Sequence, residues 1–354
     1  MTDDPLAIDR EHILEKTADL WSDLRGARIF VTGGTGFVGT WLMEAFVAAN
    51  RAHGLDARAV LLSRDPSGFR RRIPRLGENP FVSFVTGDAT SFDLPEGEFD
   101  YVVHAATERT FPGTAAQPLG ALEPDRIATR RVLDFAAERG VRRLLFTSSG
   151  AVYGGAGADV DGIPETFSGA PDPTTANAAY GESKRLSEFT CVAYARAFGF
   201  AAVIARLFAF VGPHLPLDEG YAVGNFIGDV LAGRPIAIGG DGTPRRSYLY
   251  AADMSIWLWT MLLRGDSGRA YNTGSPDGIS IRGLADTIVD TLSPATEVTV
   301  ARAPLPGAAP ARYLPDTSRA RRELGLQAWI DLPEALRRTY ASHLSSTTSN
   351  RQER

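Results

Sequence analysis

Tyr180 and Lys184 stand four residues apart in the run Tyr-Gly-Glu-Ser-Lys (180–184). On a helix that spacing puts both side chains on one face. An ammonium held near a phenol stabilises the phenolate, lowering the tyrosine pKa toward neutrality so that it can serve as a base. Alone, such a pair is an ordinary surface pair. Two further features give it weight. Ser149 ends the strand-like run Arg143–Thr147 with Ser148, where its hydroxyl can share the proton of a substrate alcohol. Gly33, Gly36 and Gly39 lie in the stretch RIFVTGGTGFVGT (28–40), between an apolar run and a helical pattern. A dinucleotide pyrophosphate needs this arrangement: glycines for a tight turn and close backbone approach, then a helix N-terminus whose free N–H groups face the anion.

The elements that position these groups alternate between strand and helix. Strands are expected at Ile29–Val31, Ala57–Leu62, Val82–Val85, Tyr101–Val103, Arg143–Thr147 and Ala202–Phe208, with helices at 127–139 and 179–198. The pattern predicts an α/β fold, a Rossmann-type doubly wound parallel sheet with ligands at the carboxyl ends of its strands. Residues 1–26 read as a helical extension, one helix over 9–25, and 27–210 as the dinucleotide domain. Residues 211–343 read as mainly a smaller mixed α/β substrate lobe interleaved with it, and 344–354 as a disordered tail. The Gly- and Pro-rich stretch 154–177 reads as a long loop over the site.

Composition narrows the class. A net charge of −5 over 354 residues argues against a nucleic-acid partner. Cys191 is the sole cysteine, so an intramolecular disulfide is excluded, and no cluster of ligands has metal spacing. The longest apolar stretch, Ser255–Leu263, falls well short of the ~18 residues a membrane helix needs and reads as a buried helix. A soluble cytoplasmic protein without membrane contact is expected.

The pieces TGGTGFVG (32–39), GDAT (87–90), HAAT (104–107), FTSSGAVYG (146–154), YGESK (180–184), ARLFAFVGP (205–213) and GDGTPRRSYLYAAD (240–253) resemble, in order, the extended short-chain dehydrogenase/reductases. The resemblance is to the nucleotide-sugar epimerase/dehydratase branch. It implies an NAD(P)-binding sheet, a lobe for a nucleoside-diphosphate sugar and a homodimer formed through a helix bundle. It makes Tyr180 the base and Ser149 its helper, with Lys184 holding the ribose and the phenolate. Asp88 falls near the adenine, Ala105 and Ala106 line the cofactor, and Phe208 packs by the nicotinamide. Thr35, Phe37, Val38, Ala89, Thr107 and Thr147, on the same pieces, complete the expected cofactor set. Arg246 and Asn225 are expected at the substrate diphosphate. For the 2′ position, Ser63 and Arg64 stand where an acidic residue selects NAD, so the cofactor is NAD or NADP with a lean to NADP. Asp65 is close enough to reach back, and Arg64 could instead stack on adenine.

Departures from the family pattern choose the chemistry. Dehydratases place an Asp-Glu pair after the serine or threonine, and sugar-acid decarboxylases keep a glutamate there. This chain has Gly150 and Ala151, which transfer no proton. An elimination would need Glu165 or Asp161 from the loop. The expected reaction is epimerisation, at C4, by transient oxidation. A dehydratase or keto-reductase of the same family is the alternative, and a dinucleotide sensor without turnover the remote one. Ala209 replaces an asparagine of many relatives, and Asp125–Thr129 stands where they carry Asn-x-x-Gly-Thr. His104 reads as structural and His214 as a possible auxiliary acid.

Overall fold

The computed structural model describes residues 4–107, 118–155 and 161–352; part of the 154–177 loop, at 156–160, and residues 353–354 of the tail lie outside them. Helix α1 (Ala7–Lys16) precedes strand β1 (Arg28–Thr32) and helix α2 (Phe37–His53). There follow β2 (Arg58–Ser63), the short helices α3 (Pro66–Arg72) and α4 (Pro74–Gly77), β3 (Val82–Thr86), β4 (Tyr101–His104), α5 (Pro118–Glu138), β5 (Arg143–Ser149), α6 (Ala179–Phe198) and β6 (Ala201–Leu207). The C-terminal part adds β7 (Ala209–Val211), α7 (Ala222–Leu231), β8 (Ile236–Ile238), β9 (Arg245–Arg246), β10 (Tyr248–Tyr250) and α8 (Ala251–Arg264). Then come β11 (Ala270–Thr273), β12 (Ile279–Ser280), α9 (Ile281–Leu292), β13 (Val298–Val300), β14 (Arg312–Tyr313), α10 (Ser318–Leu324) and α11 (Leu332–Gln352).

Seven strands form one parallel sheet in the order β11-β6-β5-β4-β1-β2-β3. The order reverses between β1 and β4, which opens a crevice at their carboxyl ends. β1 shows why this region forms a central strand. Ile29, Phe30 and Val31 are all fully buried, as a strand covered on both faces requires. Phe30 faces Phe92, Phe99 and Phe135 in the core under α5 and α6. Ile29 and Val31 face the opposite core with α2 and α8. There Trp259 packs on Phe46 and Trp21, and truncating such a ring costs about 3–5 kcal/mol.

The C-terminal part is not a separate body: α8 lies against α2, and β11 closes the edge of the large sheet beside β6. Its own small sheet has the order β12-β9-β14. Two elements differ from the expectation. The helical pattern over 9–25 breaks after Lys16, where the Thr17 hydroxyl donates to the Ile13 carbonyl and a 3-10 turn follows over Trp21–Leu24. The segment expected to be a disordered tail continues α11 through Gln352. That helix is held to the core at its start by Ala335, Leu336 and Thr339, which are buried.

Candidate active site

The glycine turn sits at the switch point. Gly33 has φ +71°, and a Cβ there would lie 2.5 Å from the Ala105 carbonyl carbon, so glycine is needed for β1 and β4 to meet. A Cβ on Gly39 would lie 2.3 Å from the Gly33 oxygen. Gly36 differs: a Cβ there would meet only the Gly33 oxygen, at 3.4 Å, and otherwise face open space. Gly36 immediately precedes α2, whose first turn holds Phe37 and Val38. A bare backbone facing open space before a helix N-terminus fits a pyrophosphate. Arg72 donates to the Thr35 carbonyl and braces the turn.

The other expected cofactor residues lie at neighbouring strand ends. Ala105 and Ala106 follow β4, and their N–H groups donate to Thr32. Asp88, with Ala89, follows β3; hydrogen bonds from Thr90 hold its carboxyl below the usual range. Ser63 ends β2 and accepts the Asp65 N–H. Arg64 is exposed, with Nη1 4.0 Å from the Asp88 carboxylate. Asp65 caps α3 by accepting the Gly68 N–H, which engages its carboxylate.

Ser149 ends β5, and its Oγ accepts the Ala151 N–H at 3.2 Å. Tyr180 and Lys184 lie on α6 as the spacing predicts, with Nζ 5.8 Å from the Tyr180 ring centre. Burial pushes the Tyr180 phenol up to about 12, and hydrogen bonding from Ser149 and Thr107 only partly offsets it. This corrects the expectation of a phenol lowered by its lysine. Lys184 is buried against the Phe146 ring and lies 3.6 Å from the buried Asp125 carboxylate, while Nζ reaches the Thr147 carbonyl at 3.5 Å. Burial drives the Lys184 pKa down and Asp125 opposes that.

The substrate lobe supplies the opposite wall. β14 pairs in parallel with β9, setting Tyr313 opposite Arg246. The Arg246 guanidinium lies 5.3 Å over the Tyr313 ring, and that ring lies 4.7 Å from Phe208. A Cβ on Gly150 would lie 2.6 Å from the Tyr313 hydroxyl oxygen and 2.8 Å from the Phe208 ring. Glycine is therefore what the wall admits at 150. Asn225 stands on α7 with a buried Oδ1 that has no partner. Among the described residues no hydrogen bond, ion pair or ring contact joins it to Arg246 or Ser149.

A family model for the NAD dependent epimerase/dehydratase family matches residues 29–274. The chain belongs to that family. It is 29% identical to UDP-glucuronic acid decarboxylase 1 of Arabidopsis thaliana, over 88% of this chain and 68% of that protein. Among solved structures it is similar to a UDP-glucose 4-epimerase from Thermotoga maritima determined with UDP-glucose (TM-score 0.75, 22% identity, 90% of this chain and 99% of that one). It is also similar to DesIV, a dTDP-glucose 4,6-dehydratase from Streptomyces venezuelae with NAD and TYD bound (TM-score 0.76, 25% identity, 91% and 98%). These family members carry names for three reactions on one fold, so the residues of this chain must separate them.

Against the family pattern, the loop carboxylates are engaged elsewhere. The Glu165 side chain is buried, accepts the Asn272 N–H at 2.9 Å and lies 3.7 Å from Arg319. Asp161 is fully exposed and pairs with Arg312. His214 also lies elsewhere, against Trp41 and 3.9 Å from Glu44. Burial and the charges of Arg72 and Arg75 push it down to about 4, so it is neutral at pH 7 and unsuited to be an acid. His104 is structural as expected: its nitrogens meet the Thr32 and Thr129 hydroxyls, and burial pushes it down to about 3.

Three residues of the site escaped the sequence reading. Asp125 accepts from Thr107 and from Ser183 as well as facing Lys184. Its signal was present as the departure from Asn-x-x-Gly-Thr. Tyr313 and Tyr221 had none. Tyr221 immediately precedes α7; burial is the main cause that raises the Tyr180 and Tyr313 phenols, and Tyr221 adds to it.

Proposed function

We propose that this chain is a nucleotide-sugar epimerase, acting at C4 by transient oxidation and re-reduction. One observation carries the reading: the position after Ser149 is a glycine closed off by Tyr313 and Phe208, so it holds no acid or base for an elimination. The engagement of Glu165 by Asn272 and Arg319 removes the loop's best substitute.

The residues present fit a nicotinamide dinucleotide. Gly33, Gly36 and Gly39 with the start of α2 would hold its pyrophosphate, Asp88 and Ala89 its adenosine end, and Lys184 its second ribose. When bound in its oxidised form, the group supplies a hydride-accepting carbon and a positive charge. Tyr180 Oη, as the phenolate that the bound cofactor's positive charge and Lys184 would favour against its burial, takes the proton of the C4 hydroxyl and later returns it to the ketone oxygen. Ser149, having accepted the Ala151 N–H, keeps its own proton to donate toward Tyr180 or the sugar oxygen. Lys184 places positive charge beneath this group, moderated by Asp125. Arg246, with its planar fork of donors, would grip the diphosphate, and the Asn225 Nδ2 would be the donor that joins it. The diphosphate is thereby held while the ketosugar turns to present the other face of C4. The exposed Arg64 supports a preference for NADP, whereas neighbours solved with NAD support the other cofactor. The nucleotide released on denaturing the purified protein decides by its mass.

A second reading is decarboxylation, the activity named for the Arabidopsis relatives. Oxidation at C4 of a sugar acid gives a β-keto acid, which loses carbon dioxide without a base at 150. Incubation with UDP-glucose, UDP-N-acetylglucosamine, UDP-glucuronic acid and dTDP-glucose separates the readings. An isomer of unchanged mass supports epimerisation. A product lighter by water or by carbon dioxide contradicts it.

Leu186 and Phe189, three apart on α6, are exposed on one face of that helix, a surface that supports a homodimer. Sedimentation of the wild-type chain as a monomer would contradict this. Among the described residues, no helix is long and apolar enough to cross a membrane.

A further inference from the structure

Lys16 and Lys184 are the only lysines of the chain, and Lys184 is the buried one. Its ammonium lies 5.8 Å from the Tyr180 ring centre and 3.6 Å from Oδ2 of Asp125, which α5 holds against α6. Asp125 is itself buried. Thr107 donates to the same Oδ2 from beyond the end of β4, at 3.2 Å, and Ser183 donates to it from α6, at 3.1 Å. Two hydroxyls and an ammonium thus converge on one oxygen of a group that only accepts. An asparagine there would bring an acceptor but no charge. The aspartate sets a full negative charge beside Lys184 where water screens it little.

We propose that Asp125 is a positioning residue that acts through Lys184 and sets the pH window in which the Tyr180–Lys184 pair works. The inference rests on the reading above, in which Tyr180 acts as a phenolate and Lys184 is the ammonium that favours it. A buried anion beside such a pair disfavours the loss of a proton from either member. Lys184 is kept charged to higher pH, and ionising Tyr180 costs more. The acid edge of activity, where Tyr180 must ionise, and the alkaline edge, where Lys184 loses its proton, therefore move upward together. Burial is the largest influence on both groups, lowering Lys184 and raising Tyr180, and Asp125 raises each of them. The neighbouring ionisable groups are engaged or uncharged. Glu188, one turn beyond Lys184 on α6, is held by Arg206 and Ser148. Burial keeps His104 on β4 neutral and the Cys191 thiol on α6 protonated. Tyr221 before α7 and Tyr313 on β14 are further neighbours of Tyr180, and as phenols they carry no charge.

The scarcity of lysine makes the test direct. Labelled with carbon-13 lysine and carrying its retained nucleotide, the chain gives signals from Lys16 and Lys184 alone, and Lys16→Arg identifies the first. In Asp125→Asn the Lys184 titration midpoint should fall by at least about one pH unit, with Lys16 unmoved. With the panel member that the wild-type chain converts, both edges of the kcat profile should fall by at least about one unit as well. At the foot of the acid edge the variant then retains a larger share of its own maximum than wild type does, a gain that structural damage does not produce. Asp125→Glu keeps the charge and should leave midpoint and edges within about half a unit of wild type. Melting temperature and retained nucleotide report folding for every variant, and Asp125→Ser, with the same loss of charge, stands in should Asp125→Asn not fold. An unmoved Lys184 midpoint overturns the proposal, and so do edges that stay or move upward. A Glu variant that shifts as the Asn variant does also overturns it, since charge would then not be the cause. Tyr180→Phe, run alongside, separates the levels. If it still turns over, or if wild type converts nothing in the panel, the functional reading falls and takes this proposal with it. If Tyr180→Phe is dead and the Asp125→Asn profile matches wild type, only the role of Asp125 is lost.

Discussion

The two walls of the crevice are built in opposite ways. On the cofactor side, the turn at 33–39 and the ends of β2, β3 and β4 come from consecutive strands of one sheet, each carrying its own signal. On the substrate side, β9 and β14 contribute two residues each and meet across more than sixty residues of intervening chain. The first wall is a property of local sequence repeated. The second exists only when distant segments pair. Variants on the first wall should therefore change whether the cofactor stays, and variants on the second what is done to the sugar.

The largest effect is expected where the walls meet. Tyr180→Phe should lower kcat by about 10²–10⁴-fold while leaving retained nucleotide unchanged, because it removes the proton-transfer group and little volume. Loss of the nucleotide with the activity would show that Tyr180 belongs to the cofactor wall. Within that wall, Gly39→Ala and Gly36→Ala should differ in kind. The first drives a methyl into the Gly33 carbonyl and should lower the melting temperature. The second meets open space, so the fold should survive with the dinucleotide bound far more weakly. Equal melting temperatures for the two would contradict the reading of the cradle.

Arg246→Lys probes the other wall. It keeps the charge and loses the planar fork, so KM for the sugar nucleotide should rise about tenfold with cofactor retention unchanged. A change in cofactor retention instead would blur the distinction between the walls. The smallest effect concerns acid stability behind the cofactor wall. His104 stays neutral in the folded chain to about pH 3, whereas an unfolded histidine takes up a proton below about 6.5. Stability should therefore fall as pH drops from 6.5 toward 3, by at most ~1.4 kcal/mol per pH unit from this residue. Urea titrations of His104→Gln should show a shallower decline over that window, and an identical slope would contradict it.

The same contrast explains what could be read before folding. Strands such as β1 are continuous apolar runs because helices cover both their faces, and the polar and small residues after them mark the crevice. The four-residue spacing of Tyr180 and Lys184 needs only a helix to become a shared face. Tyr313, by comparison, sits in a proline-rich stretch with neither helical nor strand periodicity. Its place depends on the Arg312–Arg245 and Tyr313–Arg246 register, which no local pattern encodes. Asp125 is intermediate. It was visible as a departure, but its contact with Lys184 depends on α5 packing against α6. The tyrosine's raised pKa was out of reach for a related reason: spacing places the lysine, while burial and a remote carboxylate set the balance of charge.

The most direct test of an internal redox cycle follows one hydrogen. A sugar nucleotide of the panel, deuterated at C4, is incubated with the chain and its retained cofactor, and the product is analysed by NMR and mass. The account predicts inversion at C4, deuterium still on that carbon, unchanged mass and no net consumption of reduced cofactor. Inversion with deuterium lost to solvent, or a product lighter by water or carbon dioxide, would contradict it.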